Sequence, residues 1–225
     1  MVPLQQPAVI TQKKQFNSHV FQFTFQTQHP VMFTPGQYAT VIIDAATRRQ
    51  YSFCSPANNL TLFDIVVDVS PMGPGSKFFI EKKVGDRVEI LAPLGNFQLA
   101  SSPRKKIFVA TGTGVAPLWS MIASFPSESM ALYWGLRYEE DLFWTQQLED
   151  LHKRSAHFQY TIVLSKPTSV WKRASGHVTE YVVKQENDIL ATDFYLCGNR
   201  QMVEDVQTAL LAQKVPAERI KTELF

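Results

Sequence analysis

The 225-residue sequence has few of the residues from which cross-links and metal sites are built. Its two cysteines, Cys54 and Cys197, lie far apart and form no C-x-x-C pair. Neither a disulfide framework nor an iron–sulfur cluster can be built from them alone. The five histidines show no metal-ligand spacing. We therefore predict no metal site in this chain.

Long apolar runs and a strong charge bias are also missing. No apolar stretch approaches the ~18 residues needed to cross a membrane, and residues 1–6 lack the charged start and apolar centre of a signal peptide. We expect a cytoplasmic protein. With 22 basic and 20 acidic side chains, the net charge of +2 gives no general reason to bind nucleic acid, although local patches can attract electron carriers.

The first hundred residues contain a period-two pattern of short strands separated by turns. Phe21, Phe23 and Phe25 alternate with polar side chains, so one face is buried and the other faces water. Further strands are predicted at residues 38–43, 50–54, 60–69 and 87–91. A short helix capped by Ser76 is predicted at residues 76–83, and its inward side consists of Phe78, Phe79 and Val84. These spacings predict a small antiparallel β-barrel.

The pattern changes after the linker-like sequence Ser101-Ser102-Pro103. Short apolar runs now alternate with helical stretches: strands at 107–110, 131–134, 160–164 and 193–196, and helices at 117–125, 142–153 and 201–213. This alternation is typical of right-handed crossover units around a parallel sheet. We predict two domains, a β-barrel at residues 1–102 and an α/β nucleotide-binding domain at residues 103–225. Phosphate ligands are expected at the carboxyl ends of the parallel strands.

The strand at residues 107–110 opens into a glycine turn. Gly112 and Gly114 can adopt backbone angles closed to other residues and let a ligand approach the main chain, while Pro117 suits the start of the next helix. Backbone N–H groups and the positive end of that helix would point at a phosphate. Glycine turns also occur for steric reasons alone, so this one needs support from other motifs.

Four short motifs follow one another along the chain. They are Arg49-Gln50-Tyr51-Ser52, Gly73-Pro74-Gly75-Ser76, the glycine turn at residues 112–117 and residues 197–202. In order and spacing they resemble the R-x-Y-[ST], G-x-x-S, G-T-G-x-A-P and C-G-x-x-x-M motifs of the ferredoxin-NADP reductase family of flavoproteins. The resemblance covers almost the whole chain. It implies an antiparallel Greek-key β-barrel that binds FAD and an α/β parallel-sheet domain that binds NAD(P), without an iron–sulfur domain.

The first two motifs are expected to hold the flavin. The fork of donors on Arg49 suits the flavin pyrophosphate, and Tyr51 offers a flat ring that can stack on the isoalloxazine. By resemblance, Ser52 hydrogen-bonds near flavin N5, the atom that accepts hydride. Further contacts implied by the resemblance come from Val66, Val67, Gly73, Gly75 and Ser76. The alternatives are a surface-facing arginine on a half-buried strand and a serine that merely caps a helix.

The last two motifs are expected to hold the nicotinamide nucleotide. Its phosphates would lie on the turn formed by Thr111, Gly112, Thr113 and Gly114. By resemblance, Cys197 contacts the nicotinamide beside the flavin and is not a nucleophile; a small buried side chain without a chemical role is the alternative. A 2′-phosphate needs cationic and hydroxyl donors. Candidate donors follow two strand ends, and they favour NADPH: Arg137, Ser165 and Lys166.

The last residues, Glu223-Leu224-Phe225, resemble the ends of family members that close with an aromatic residue. Phe225 is expected to cover the flavin face on which nicotinamide must stack, and to move aside for turnover. Glu223 is expected to relay a proton. A disordered tail is the alternative, since termini fray by default.

Together these features predict an FAD-dependent NAD(P)H oxidoreductase. Hydride would pass from NAD(P)H to flavin N5, and electrons would leave singly to a separate ferredoxin or flavodoxin. Basic residues that could attract such acidic carriers are Lys82, Lys83, Arg104, Lys105 and Lys106. One alternative is an NAD(P)H:flavin oxidoreductase that uses flavin as a diffusing substrate, although Gln50 replaces the proline that such relatives often carry. Another is a non-catalytic electron-transfer subunit of a larger complex.

Overall fold

A computed structural model describes residues 2–185 and 188–224 of the chain. By its internal contacts the chain divides into two units, each with its own hydrophobic core. The first unit comprises Met1–Leu99 and Trp119–Ser124, and the second comprises Ala100–Leu118 and Phe125–Phe225. The predicted domain boundary between residues 102 and 103 stays a prediction. Among the residues that the structure describes, no helix is long and apolar enough to cross a membrane.

The first unit is built on a six-stranded antiparallel sheet. Its strands are β1 (Leu4–Gln15), β2 (Val20–Thr27), β3 (Tyr38–Ile42), β4 (Arg48–Ser52), β5 (Leu62–Asp68) and β6 (Arg87–Leu94). They are hydrogen-bonded in the order β4-β3-β6-β1-β2-β5. An isolated antiparallel bridge between Phe53 and Ile65 joins the two ends of this order and closes a barrel. Strands β3, β4 and β5 are successive neighbours, and the next strand, β6, returns to pair with β3. This is the predicted Greek-key order.

Aromatic side chains fill the barrel. Phe23, Phe25 and Phe53 are at most 1% exposed. The first two occupy inward positions of β2, whose side chains alternate between the two faces, and Phe53 directly follows β4. Helix α1 (Pro74–Glu81) adds Phe79, whose ring centroid lies 4.8 Å from that of Phe23. Each fully buried ring stabilises the fold by about 2 kcal/mol relative to an exposed one. The helix is therefore attached to the barrel core through one of its own side chains.

Three predictions for this unit are corrected by the structure. Helix α1 begins at Pro74 with Gly73 as its cap, so Ser76 lies in the first turn and not at the cap. Val84 is 60% exposed and does not face inward. Strand β1 is absent from the predicted set because Pro7 and many polar residues hide its alternation. It forms nonetheless, since both of its edges are paired, one with β2 and the other with β6.

The second unit is built on a five-stranded parallel sheet. Its strands are β7 (Lys105–Thr111), β8 (Met130–Leu136), β9 (Phe158–Leu164), β10 (Thr192–Gly198) and β11 (Ile220–Leu224). Helices follow the first four strands in turn: α2 (Val115–Ser124), α3 (Thr145–Arg154), α4 (Val178–Gln185) and α5 (Arg200–Ala212). The sheet order is β11-β10-β7-β8-β9, with every neighbouring pair parallel. The predicted α/β architecture is confirmed.

This strand order contains a reversal that matters for ligands. The chain runs from β7 outward to β8 and β9 and then returns to β10, on the other side of β7. Open α/β sheets bind ligands outside the carboxyl ends of their strands, at the point where the order reverses. That point lies between β7 and β10. Helices α4 and α5 cover one face of the sheet, where Met202 is buried as expected.

Two elements of this unit are absent from the predicted set. Helix α4 is only eight residues long, which is too short for its apolar periodicity to stand out. Strand β11 continues the sheet, because Ile220 to Leu224 pair in parallel register with Phe194 to Gly198. The alternative of a disordered tail is therefore wrong for Glu223 and Leu224.

Candidate functional site

The R-x-Y-S motif lies on β4, against the first turn of α1. A Cβ added at Gly75 would overlap the hydroxyl of Tyr51 and lie 3.2 Å from Cγ of Arg49. Only glycine lets the helix backbone come this close to both side chains. The structure therefore brings Arg49, Tyr51 and Gly75 together from two separate motifs.

The first turn of α1 presents backbone donors. Gly73 caps the helix in an extended conformation, with φ −72° and ψ 179°, and no side chain caps the helix end by a hydrogen bond. The N–H of Lys77 donates to the carbonyl of Gly73 at 3.0 Å and begins the hydrogen bonding of the helix. The N–H groups of Gly75 and Ser76 consequently have no partner within the helix, and Pro74 has no N–H. Such a helix start favours an anion.

Tyr51 and Arg49 both lie against this turn, the first with a neutral phenol and the second with a charged guanidinium. Burial raises the pKa of Tyr51 to about 12, although the nearby charge of Arg49 opposes this shift. The phenol is thus a protonated hydrogen-bond donor at neutral pH, and its ring meets that of Phe79 edge-on with centroids 5.0 Å apart. The exposed Arg49 guanidinium has five N–H donors, and Nη1 donates to the carbonyl of Arg48 at 2.7 Å.

Val66 and Val67 lie on β5, where β4 and β5 begin to separate. Val67 is part of the barrel core, whereas Val66 is buried on the opposite face of the strand. One edge of β5 pairs with β2, and the other edge is bridged to Phe53 at Ile65. Continuing the register of this bridge along both strands brings Val66 opposite Ser52, which is 4% exposed. We call this region the β4–β5 seam.

The remaining predicted residues cluster at the carboxyl ends of the parallel strands. Strand β7 ends at Thr111, and the turn Gly112–Gly114 leads into α2. Gly112 has φ 53°, a left-handed conformation that glycine adopts without strain. Helix α2 begins at Val115, two residues before the predicted start, so Pro117 lies within the first turn, where a missing N–H costs nothing.

The backbone of this glycine turn is in close contact with the end of β10. A Cβ added at Gly114 would overlap the carbonyl oxygen of Cys197 and lie 2.6 Å from Cα of Gly198. Gly198 has φ 139°, and a Cβ there would overlap the hydroxyl oxygen of Thr111. The two turns therefore fit together only because both carry glycine.

Two hydrogen bonds that sequence reasoning missed hold the glycine turn in place. The backbone N–H of Asn199 donates to Oγ1 of Thr111 at 2.9 Å. The indole Nε1 of Trp134, a fully buried residue of β8, donates to the carbonyl of Gly112 at 2.9 Å. No signal in the sequence links these residues to the turn, because each contact joins different strands. The half-buried Thr113 lies at the middle of the turn.

Cys197 is fully buried beside Ala110 of β7 and Glu223 of β11. Burial raises the pKa of its thiol well above the usual range, and the Glu223 carboxylate raises it further. The thiol is therefore protonated at neutral pH and is a poor nucleophile. Strand β11 ends at Leu224, and Phe225 lies outside the described residues, so its covering role stays a prediction.

The three residues proposed to contact a 2′-phosphate are neighbours. The N–H of Ser165 donates to the carbonyl of Leu136 at 3.0 Å, and the N–H of Lys166 donates to the carbonyl of Arg137 at 2.9 Å. The pairing of β8 and β9 thus continues beyond the strand ends. The side chains of Arg137, Ser165 and Lys166 are all exposed at this edge.

An acidic residue outside the predicted set is fixed at the same edge. Oε1 of Glu139 accepts hydrogen bonds from the N–H of Thr168 at 2.9 Å and from its hydroxyl at 2.6 Å. The hydroxyl bond lowers the pKa of Glu139. An acidic residue after the second strand of a dinucleotide-binding fold typically meets the ribose 2′-hydroxyl. Its position after β8 makes Glu139 a candidate for that role, and this position can be read from the sequence.

The basic residues proposed to attract a carrier do not all lie at the surface. Lys106 is 1% exposed and its Nζ is 2.6 Å from Oε2 of Glu128, because it lies on β7, the central strand of the sheet. The Nε of Arg104 is 2.9 Å from Oδ1 of Asp193. The prediction is therefore wrong for Lys106, and Arg104 is committed to an ion pair. Two other residues proposed to attract a carrier, Lys82 and Lys83, follow α1 in the first unit.

Two protein-family models match this chain. The model described as an oxidoreductase FAD-binding domain matches residues 7–99, and the one described as an oxidoreductase NAD-binding domain matches residues 108–208. The first match falls on the barrel, and the second begins in β7 and ends in α5.

Similar proteins include components of electron-transfer systems. The anthranilate 1,2-dioxygenase electron transfer component of Acinetobacter baylyi is 34% identical over 199 residues, and this chain spans 58% of its length. That alignment covers 86% of this chain. Ferredoxin–NADP reductase B of Sorangium cellulosum is 29% identical, with 86% of each chain covered. The crystal structure of the Amycolatopsis cytochrome P450 reductase GcoB matches with a TM-score of 0.92 at 25% identity, covering 99% of this chain and 70% of that one.

Proposed function

Because this chain belongs to the ferredoxin-NADP reductase family of FAD- and NAD(P)-binding oxidoreductases, we propose that it is an FAD-dependent NAD(P)H oxidoreductase. It takes hydride from NAD(P)H onto N5 of bound FAD and delivers electrons singly to a separate ferredoxin or flavodoxin. When bound, FAD supplies the exchange between a two-electron donor and a one-electron acceptor. The observation that carries the proposal is a pair of turns that present backbone N–H groups, one in each unit: the first turn of α1 and the glycine turn after β7. We assign a phosphate-binding role to both, and call them the first and second cradle.

The residues around the first cradle fit FAD. Because residue 75 is glycine, the side chains of Tyr51 and Arg49 can lie directly against the helix start. The fork of Arg49 and the backbone donors of the turn form the donor set that a pyrophosphate requires. We assign the pyrophosphate to Arg49, Gly73, Gly75 and Ser76, and the isoalloxazine to Tyr51.

The β4–β5 seam supplies the remaining flavin contacts in this proposal. Strand pairing ends at the bridge between Phe53 and Ile65, so the backbone groups of Val66 can meet the polar edge of the isoalloxazine, while Val67 packs in the barrel core beneath it. Ser52, opposite Val66 in the register of the bridge, donates its hydroxyl near N5. In this proposal these three residues orient the flavin, and Ser52 acts at the atom that accepts hydride.

The glycine turn binds the phosphates of NAD(P)H in this proposal. Its backbone N–H groups, from Thr111 to Gly114, and the positive end of α2 meet the phosphate oxygens. Hydrogen bonds from Trp134 and Asn199 already hold the turn. The turn therefore loses little conformational entropy when the nucleotide binds. The protonated thiol of Cys197 borders the nicotinamide, and Glu223 beside it relays a proton.

We predict that Cys197→Ala slows flavin reduction by NAD(P)H about tenfold, because the nicotinamide loses a wall that orients it. FAD affinity should change less than about twofold, since Cys197 belongs to the second unit and FAD contacts belong to the first. Anaerobic rapid mixing measures the reduction rate, and titration of flavin-free protein measures the affinity. Equal losses in both would show that Cys197 has no particular role in nucleotide reduction.

The three exposed donors after β8 and β9 favour NADPH in this proposal, while Glu139 favours the bare ribose of NADH. We predict that Lys166→Met raises KM for NADPH about tenfold, since it removes one charge-assisted contact. KM for NADH should stay within about twofold. The matched control is Lys172→Met, because Lys172 lies in the same loop and donates to the carbonyl of Ser169 at 2.9 Å. An equal rise of KM for both nucleotides would contradict the assignment.

An acidic one-electron carrier is the proposed partner. Lys82 and Lys83 follow α1 directly, so their positive charges lie on the unit proposed to hold the flavin and would speed the encounter with a negatively charged protein. The similarity to an electron transfer component supports this proposal. A cytoplasmic location stays a prediction.

Two alternatives can be separated from this proposal with one preparation. The protein is desalted, its FAD content per chain is measured, and NAD(P)H oxidation is followed with ferredoxin or flavodoxin as acceptor. The proposal predicts retained FAD and reduction of the carrier. Colourless protein that oxidises NAD(P)H only with added free flavin would favour the flavin oxidoreductase. FAD-loaded protein that oxidises neither nucleotide would favour a non-catalytic subunit.

A further inference from the structure

Lys13 connects strand β1 to the end of helix α1 by three hydrogen bonds. Its ammonium donates to the carbonyl of Phe79 at 3.1 Å, to that of Ile80 at 3.0 Å and to that of Lys82 at 2.7 Å. An ammonium group has three N–H donors, so all of them are used on one helix end. Lys13 is thus the cationic cap of α1, although it is distant from the helix in sequence.

The helix needs this cap because it supplies none of its own. The last carbonyl groups of a helix have no partner within it, and the last turn of α1 contains no basic residue. A cation at this position also interacts favourably with the negative end of the helix dipole. The carbonyl groups that would otherwise be left to water are therefore held against the barrel.

The position of Lys13 is itself defined by aromatic packing. Its Nζ lies 5.3 Å from the ring centroid of Phe21 and 5.4 Å from that of Phe23. Phe23 in turn packs against Phe79 of α1, with ring centroids 4.8 Å apart. Cation–π attraction and ring packing thus restrict the ammonium to the place where it meets the helix end.

We propose that Lys13 is a positioning residue for the FAD pyrophosphate. Helix α1 has eight residues and is therefore only about 12 Å long, so its two ends move together. Holding the carboxyl end by Lys13 fixes the turn at Gly73 to Ser76, where the backbone donors and the side chains of Arg49 and Tyr51 converge. This inference rests on the proposed function, because it assumes that the turn binds FAD.

The test compares the binding of FAD with that of riboflavin, which lacks the pyrophosphate. Flavin-free full-length protein is titrated with each ligand, and quenching of flavin fluorescence gives the affinity. Lys13→Met keeps the apolar stem but removes all three donors, so we expect about tenfold weaker FAD binding. Riboflavin binding should stay within about twofold, since it does not use the turn.

Two further variants make the result decisive. Lys14→Met removes the same charge from the neighbouring lysine, whose Nζ lies 5.0 Å from the ring of Phe16, and should change neither affinity. Lys13→Arg retains the charge and the stem, so it should fold even if Lys13→Met does not. Its planar fork cannot serve all three carbonyl groups, and we expect about threefold weaker FAD binding with unchanged riboflavin binding.

Unchanged FAD affinity in both Lys13 variants would overturn the inference. Equal loss of FAD and riboflavin affinity would also overturn it, because Lys13 would then only stabilise the barrel. If wild-type protein does not bind FAD at all, the proposed function fails first. If wild-type protein binds FAD but the Lys13 variants change FAD and riboflavin affinity to the same extent, only this inference fails.

Discussion

Replacing Gly114 with alanine is expected to slow flavin reduction by NAD(P)H about 100-fold while FAD stays bound. The added Cβ would overlap the carbonyl oxygen of Cys197 and lie 2.6 Å from Cα of Gly198. Both are backbone atoms, so they cannot rotate away as a side chain could. The glycine turn must shift, and the backbone N–H groups proposed to bind the nucleotide phosphates shift with it. The residues proposed to contact FAD belong to the other unit, so we expect them to keep their geometry.

The matched control for this variant is Gly135→Ala. A Cβ at Gly135 would meet only side-chain atoms, at 3.2 Å from Cγ2 of Thr111 and from the side chain of Val178. Shifts of a few tenths of an ångström relieve such contacts, so the reduction rate should fall less than about fivefold. Rapid anaerobic mixing gives the rates, and absorbance after desalting gives the FAD content. A Gly114→Ala protein that is reduced as fast as wild type would show that the turn does not bind the nucleotide.

Gly75→Ala is expected to weaken FAD binding about 30-fold, since overpacking of this kind costs roughly 2 kcal/mol. The added Cβ would overlap the hydroxyl of Tyr51, whose ring is held against Phe79. The ring must leave its place, or the first turn of α1 must move away from Arg49. Either change separates the donors proposed for the pyrophosphate from Tyr51, the residue proposed to contact the isoalloxazine.

The clash at Gly75 predicts a specific rescue. In a Tyr51→Phe background the overlapping hydroxyl is gone, and the nearest remaining atoms are Cγ of Arg49 at 3.2 Å and Cζ of the ring at 3.6 Å. The double variant should therefore recover most of the lost FAD affinity, while Tyr51→Phe alone stays within about threefold of wild type. Titration of all four proteins measures the coupling. Additive losses without rescue would mean that Gly75 and Tyr51 do not act on one ligand.

Local patterns were sufficient to predict the two architectures. The alternation of Phe21, Phe23 and Phe25 with polar residues identifies a barrel strand, and the apolar run at 107–110 followed by glycine identifies a strand-to-turn junction. Both signals arise from residues close together in sequence, where period and turn chemistry decide the conformation. The four motifs likewise lie on single turns or strand ends.

Contacts between distant segments could not be predicted in this way. Lys13 caps a helix near residue 80, Trp134 donates to the carbonyl of Gly112, and Lys106 is buried by the sheet. In each case a polar side chain satisfies its donors through tertiary packing, for which a single sequence carries no pattern. Strand β1 is missed for a related reason, because pairing at both edges outweighs its weak propensity.

The most direct test of the account is the reduction of FAD-loaded protein by nicotinamide nucleotide under anaerobic conditions. NADPH and NADH are each supplied with hydrogen or with deuterium at the hydride-donating carbon, at saturating concentration, and the flavin absorbance is followed by rapid mixing. The account predicts that the absorbance bleaches with at least one nucleotide, and more slowly with the deuterated form. Protein that retains FAD and bleaches with neither nucleotide would contradict it.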